Sequence, residues 1–150
     1  RSKLKIINIE YFNDYCCFIA LIKDSEVKNK KECYFNNNYI YDYFSFYETE
    51  IKMLNDKINK STDEVFIFGG HIFTQFLLTA GLSDKSIINI LDNDKNKQNK
   101  RLYGTNLIVK NPKILTNFNK PLVILKAGQY TEEIKSDILN NINPKTRFIL

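Results

Sequence analysis

Val65 to Asp94 reads VFIFGGHIFTQFLLTAGLSDKSIINILDND, and this stretch decides the fold. The apolar run VFIF ends in Gly69-Gly70. An apolar-periodic segment follows and stops at Gly81, and a second apolar run ends at Asp92. That order predicts strand, tight turn, helix, strand: the opening βαβ unit of a nucleotide-binding α/β sheet. Such a turn points backbone N–H groups of a helix N-terminus at a bound phosphate. An acidic residue closing the second strand accepts hydrogen bonds from a ribose.

Downstream, the pattern continues. Leu107 to Val109, Leu122 to Ala127 and Thr146 to Leu150 read as strands. A brief helix is expected from Asn111-Pro112 through Leu115. A longer one is expected from Thr131 to Asn141, with Thr131 as N-cap and Ile134, Ile138 and Leu139 on one face. Strands alternating with helices imply a mostly parallel sheet with helices on both faces, a Rossmann-like α/β fold. Upstream, Tyr41 to Lys60 reads as a long helix, because Phe44, Tyr47, Ile51, Leu54 and Ile58 recur at spacings of three and four. Lys3 to Phe12 and Cys17 to Lys23 have strand character, and Asn13-Asp14 between them is turn chemistry, so an antiparallel pair is expected. Asp24 to Asn38 is polar loop. The organisation expected is therefore residues 1–40 as a strand pair plus loop, then 41–150 as a linker helix plus the Rossmann-like domain.

A chain of 150 residues supports one real core. Its net charge of +5 is modest, and Asp and Glu are interspersed among the cations, which argues against a nucleic-acid partner. The odd cysteine count (Cys16, Cys17, Cys33), with no CxxC pair, argues against a disulfide framework or a zinc site. Reduced thiols in a cytoplasmic protein are expected. No apolar run approaches the roughly 20 residues that span a bilayer. The sequence begins with Arg1, so a piece of a longer protein is expected.

Each candidate site residue carries two readings. Gly69-Gly70 is not a full GxGxxG: it is a phosphate-binding turn or a purely structural βα turn. His71, the one histidine, either donates to a phosphate and shuttles protons or caps the helix. Its place at a helix start lowers its pKa. Asp92 accepts from a ribose or sugar hydroxyl, or is a solvated turn carboxylate. Asp92-x-Asp94 begins like a calcium loop, but the required glycine and glutamate are missing, so calcium is rejected. Lys97, Lys100 and Arg101 neutralise a phosphate or face water. Tyr130 follows a strand at the edge where open α/β sheets bind ligands; it stacks on a ring or caps the core. The aromatic group Tyr39, Tyr41, Tyr43, Phe44, Phe46 and Tyr47 is core packing or a partner interface. No nucleophile–base pair and no second glycine-rich turn of the kind that S-adenosylmethionine requires are present, so no catalytic residue is assigned.

The segments FGGHIFTQFLLTAGL, ILDNDKNKQNKRLYGTNLIV-NP and VILKAGQYTEEI resemble the C-terminal domain of sugar methyltransferases of the C-methyltransferase type. The family pattern runs strand, glycine turn, D-N-x-x-x-K-x-x-x-x-x-x-G-T, strand, Y-x-x-E-I. Asp92, Asn93, Lys97, Gly104, Thr105, Tyr130, Glu133 and Ile134 match it in order. The resemblance covers roughly Tyr41 to Leu150, and IINIEYFNDYCCFIALIK resembles the last strands of the methyltransferase core. His71 departs from the pattern, which often has a small residue there.

The resemblance implies a Rossmann-like module that holds a nucleotide-sugar, in polysaccharide or glycoconjugate biosynthesis. S-adenosylmethionine is then bound by a preceding domain, and this chain holds no cofactor. The residues implied are Gly69, Gly70 and His71 on the phosphate side, Asp92, Asn93 and Lys97 for hydroxyls, and Tyr130 on the same edge. The partners implied are the nucleotide-sugar, the N-terminal methyltransferase domain and a second copy in a homodimer. Two alternatives belong to other classes: a non-catalytic interaction module with a degenerate nucleotide site, and the nucleotide-binding front domain of a sugar acyltransferase.

Overall fold

The computed structural model describes residues 4–12, 16–23 and 38–150. The chain divides into two compact units, Arg1–Asn37 and Asn38–Leu150. In the first, β1 (Leu4–Phe12) pairs antiparallel with β2 (Cys16–Lys23), with a register shift between Ile6 and Asn8. The antiparallel pair matches the sequence reading. The Asn13-Asp14 turn, Cys33 and the loop over 24–37 lie outside the described residues.

The second unit opens with α1 (Asn38–Lys60), followed by β3 (Val65–Phe68), α2 (Ile72–Thr79) and β4 (Ile87–Leu91). Then come β5 (Val109–Lys110), a 3₁₀ turn at Pro112–Asn117 and β6 (Leu122–Ile124). A 3₁₀ turn at Gly128–Tyr130 leads into α3 (Thr131–Asp137), which widens into a π turn at Ile138–Ile142 before β7 (Arg147–Ile149). The five strands β3 to β7 form one all-parallel sheet in the order β5-β4-β3-β6-β7. This is the Rossmann-like α/β architecture read from the sequence. The strand order reverses between β3 and β6, so the ligand crevice expected of such sheets lies beyond their carboxyl ends.

Both faces of the sheet are covered, which is why β3 is apolar at every position. On one face, Ile51, Leu54 and Ile58 of α1 pack with Leu77 of α2 against Val65, Ile67 and Ile90. On the other, Phe66, Phe68, Leu91 and Val123 meet Leu115 and Ile138. The ring of Phe118 meets that of Phe66 edge-on at 5.0 Å. Alternate residues of one strand thus feed two separate cores.

Phe44 lies in the helical stripe of α1 and is 51% exposed. Three local expectations are corrected. The short strand predicted at Leu107–Val109 falls at Val109–Lys110, and Ile108 instead bridges Arg101. The strand predicted to Ala127 ends at Ile124, where its neighbour β7 runs out. Thr131 is not an N-cap: the preceding 3₁₀ turn already continues into the helix, and Tyr130 holds the cap position without a side-chain hydrogen bond.

Asn143 closes the second core. Its amide donates to Leu115 O at 2.8 Å and Phe118 O at 2.9 Å, and its Oδ1 accepts from Lys145 N at 2.9 Å. These bonds tie the end of the π turn to the connection before β6. Asn143→Ala leaves two carbonyls without that donor, at a cost of about 1–3 kcal/mol. Equilibrium urea unfolding measures it, and a change below about 0.5 kcal/mol, the usual range for a surface substitution, contradicts this assignment.

Candidate functional site

The site starts from the glycine turn. Gly69 sits at φ +105°, a conformation that L side chains rarely adopt. Its N–H donates to Leu91 O at 2.7 Å, carrying the β3–β4 ladder one residue past the strand. Its carbonyl accepts from the Thr74 hydroxyl at 2.5 Å, which ties the turn to α2 from below. The His71 ring folds back over the same residue and fills the space that a Cβ on Gly69 would need. Gly70 is confined differently: a Cβ there would lie 3.1 Å from Val109 Cγ2 and 3.4 Å from Asp92 Oδ2.

Asp92 follows β4 directly and is buried. Its Oδ2 accepts from Gly70 N at 2.8 Å and from Lys97 Nζ at 3.0 Å, while Oδ1 accepts from Asp94 N at 2.8 Å. Its backbone is pinned as well, with its N–H donating to Lys110 O at 3.0 Å and its carbonyl accepting from Gln98 Nε2 at 2.9 Å. A carboxylate offers about four lone-pair sites. Donors among the described residues fill three, which leaves one acceptor site, on Oδ1. Burial opposes the Asp92 charge. The Asp94 N–H, the Lys97 ammonium and the Gly70 N–H together outweigh it and hold the carboxyl below its ordinary value.

The loop after Asp92 is built rather than merely solvated. Asp94 Oδ1 accepts from Asn96 N at 2.8 Å, and Asn99 takes a left-handed φ of 62° while its N–H donates to Val109 O at 2.7 Å. This folding carries Lys97 back to Asp92. Lys100 and Arg101 remain exposed.

His71 holds the N-cap position of α2 without a side-chain cap bond, so the capping reading is not met. Burial first, and then the charge of Lys97, lower its pKa, while Asp92 pulls the other way. The imidazole is therefore favoured neutral at pH 7.

Gly69, Gly70, His71, Asp92 and Lys97 are thus gathered at one point. Two predicted residues stand apart. Asn93 is exposed and faces α3, lining a cleft with Glu133 and Ile134. Tyr130 is exposed at the end of the 3₁₀ turn, with its N–H on Ala127 O. It therefore does not cap the core.

The sequence reading missed two long-range bonds of α1, one at the crevice and one at the opposite edge of the sheet. Lys126, just past β6, pairs with Glu50 of α1 at 2.8 Å. Asn55 of α1 bridges Gly81 O at 3.0 Å and Ser83 N at 2.9 Å, locking the end of α2. Both bonds span long sequence separations and leave no local signal. Above the crevice, Tyr47 of α1 meets Phe73 at 5.6 Å and Phe76 at 5.2 Å, while Tyr41, Tyr43, Phe44 and Phe46 stay more than half exposed.

Among the described residues no group of three or more His, Cys, Asp or Glu side chains is placed to hold a metal ion, and no helix is long and apolar enough to cross a membrane. Comparison with protein-family models, with curated proteins and with solved structures finds no match.

Two pH predictions follow from the cluster. The Asp92 pKa is lower folded than unfolded, so its stabilisation is complete above the unfolded value near 3.8 and is lost as pH falls through the folded value. The stability gap between wild type and Asp92→Asn should therefore narrow below pH 3.8 and be flat above about pH 5. A gap that widens with acid contradicts it. For His71, an NMR titration should give a midpoint below 6.5 that rises in Lys97→Ala. An unmoved midpoint contradicts the placement of Lys97.

Proposed function

We propose that residues 38–150 form the nucleotide-sugar-holding C-terminal module of a sugar methyltransferase that uses S-adenosylmethionine, acting in polysaccharide or glycoconjugate biosynthesis. The observation that carries this reading is the last acceptor site on Asp92 Oδ1, at the carboxyl edge of a parallel sheet beside its switch point. One open acceptor on a buried carboxylate suits a hydroxyl donor. It disfavours a phosphate at that point, because two anions there repel. The ribose or sugar hydroxyl therefore meets Asp92 at Oδ1, while Lys97 donates to the other oxygen, Oδ2. Gly69, Gly70 and His71 shape the turn, and with the Gly70 N–H already taken by Asp92 the diphosphate lies outside it.

No step of methyl transfer is assigned to this chain. S-adenosylmethionine belongs, on this reading, to a preceding domain. The exposed aromatic overhang of α1 supports a second reading, a non-catalytic interaction module.

Calorimetric titration separates the two. The full chain is titrated with nucleotide-sugars, their nucleoside diphosphates, NAD(P) and S-adenosylmethionine. A nucleotide-sugar Kd below about 1 mM is expected, weakened about 10- to 100-fold by Asp92→Asn, the range for a hydrogen bond to a charged group. Silence across the panel, with the chain folded, favours the interaction module.

A further inference from the structure

A second polar feature lies on the other side of β4 from the aromatic overhang. Asn93 follows Asp92 directly and lines a cleft of about 380 Å³ whose far wall is α3 and its π turn. This is within the range of small-molecule sites, about 300–1,000 Å³. Glu133, Asp137 and Asn141 stand at spacings of four on the lining face, with Ser136 and Asn140 beside them.

The charge of that face is one-sided. The Asn141 amide donates to Asp137 Oδ1 at 2.8 Å, and the Asn140 amide donates to Ser136 Oγ at 3.0 Å. Each asparagine thereby spends one amide N–H on the helix and keeps the other, together with its carbonyl oxygen, for a ligand. The side chains of Glu133 and Asn93 make no hydrogen bond or ion pair with the described residues. No lysine or arginine lines the cleft. The wall offers amide donors and several acceptors and carries two carboxylates, so a phosphate is repelled and a ring whose hydroxyls or amines both donate and accept is matched. The π turn adds its own indication, since such turns occur frequently at functional sites.

We propose that this cleft is the sugar subsite, holding the hydroxyl- or amine-bearing ring of the nucleotide-sugar between Asn93 and Glu133. The inference rests on the reading above that the module holds a nucleotide-sugar. It adds where the sugar ring lies and which residues select it. Asp92 and Asn93 are adjacent, so one ligand reaches both the clamp and the cleft.

The test compares the full chain with Glu133→Gln and Asn93→Ala, both exposed positions where folding is expected to survive. UDP, UDP-glucose and UDP-glucosamine are titrated into each. The expected result is a sugar-dependent gain over UDP of about tenfold or more in wild type. Each variant should lose most of that gain with its UDP affinity unchanged. If the gain persists in both variants, the subsite is refuted while nucleotide-sugar binding stands. If no nucleotide binds, the reading of the module fails. Glucose and glucosamine are then titrated alone, watched by NMR at the side-chain amides of Asn93 and Asn141. Shifts at both support a sugar cleft, and their absence at about 100 mM sugar, where even weak binding registers, overturns it. Shifts produced equally by inorganic phosphate also overturn it.

Discussion

The Asp92 carboxylate is the fixed point of this domain. It joins the end of β4 to the glycine turn after β3 through the Gly70 N–H, and it folds the following loop onto itself through Asp94 and Lys97. A buried carboxylate is tolerated only when its lone pairs are engaged. Here three donors meet that demand, and two of them are backbone groups of the turns that follow β3 and β4. The same bonds make the site self-contained: an internal anion meets the amide that a phosphate would otherwise seek. What remains open is a single acceptor, which is a narrower chemical statement than a glycine turn makes alone.

Much of the surrounding design serves to keep this point rigid. Gly69 takes a positive φ, and its carbonyl is held by Thr74. A side chain at Gly70 would press on Val109, 3.1 Å from its Cβ. β5 is only two residues long, yet its Lys110 carbonyl anchors the Asp92 N–H. Lys126 and Glu50 pin α1 to the far lip of the crevice. Few of these contacts bury much apolar area. The apolar work is done below, by the two cores on either face of the sheet.

The fold was legible because its strongest signals are local. VFIF, the glycine pair and IINIL each report their own backbone state, and alternation of strand and helix supplies the parallel sheet. Gly69, Gly70 and Asp92 were legible for the same reason. Lys97 was ambiguous: in sequence it is one cation in a charged loop, and only the loop's Asx-type turns and the left-handed Asn99 return it to Asp92. The exposure of Phe44 was not legible, because periodicity marks a helix face without marking how much of it is covered. Asn143 and the Asn93–Glu133 cleft join segments tens of residues apart, which no window of sequence reports. β5 and β6 were misjudged by a few residues because pairing with a short neighbour, not side-chain pattern, sets where a strand stops.

The measurement that tests the account most directly is a crystal structure of the full chain with a bound nucleotide-sugar. The account predicts a ligand hydroxyl within hydrogen-bonding distance of Asp92 Oδ1, about 2.5–3.0 Å, with the Gly70 and Lys97 bonds to Oδ2 intact. A diphosphate seated on the Gly70 amide, with the Asp92 side chain turned away, would contradict it.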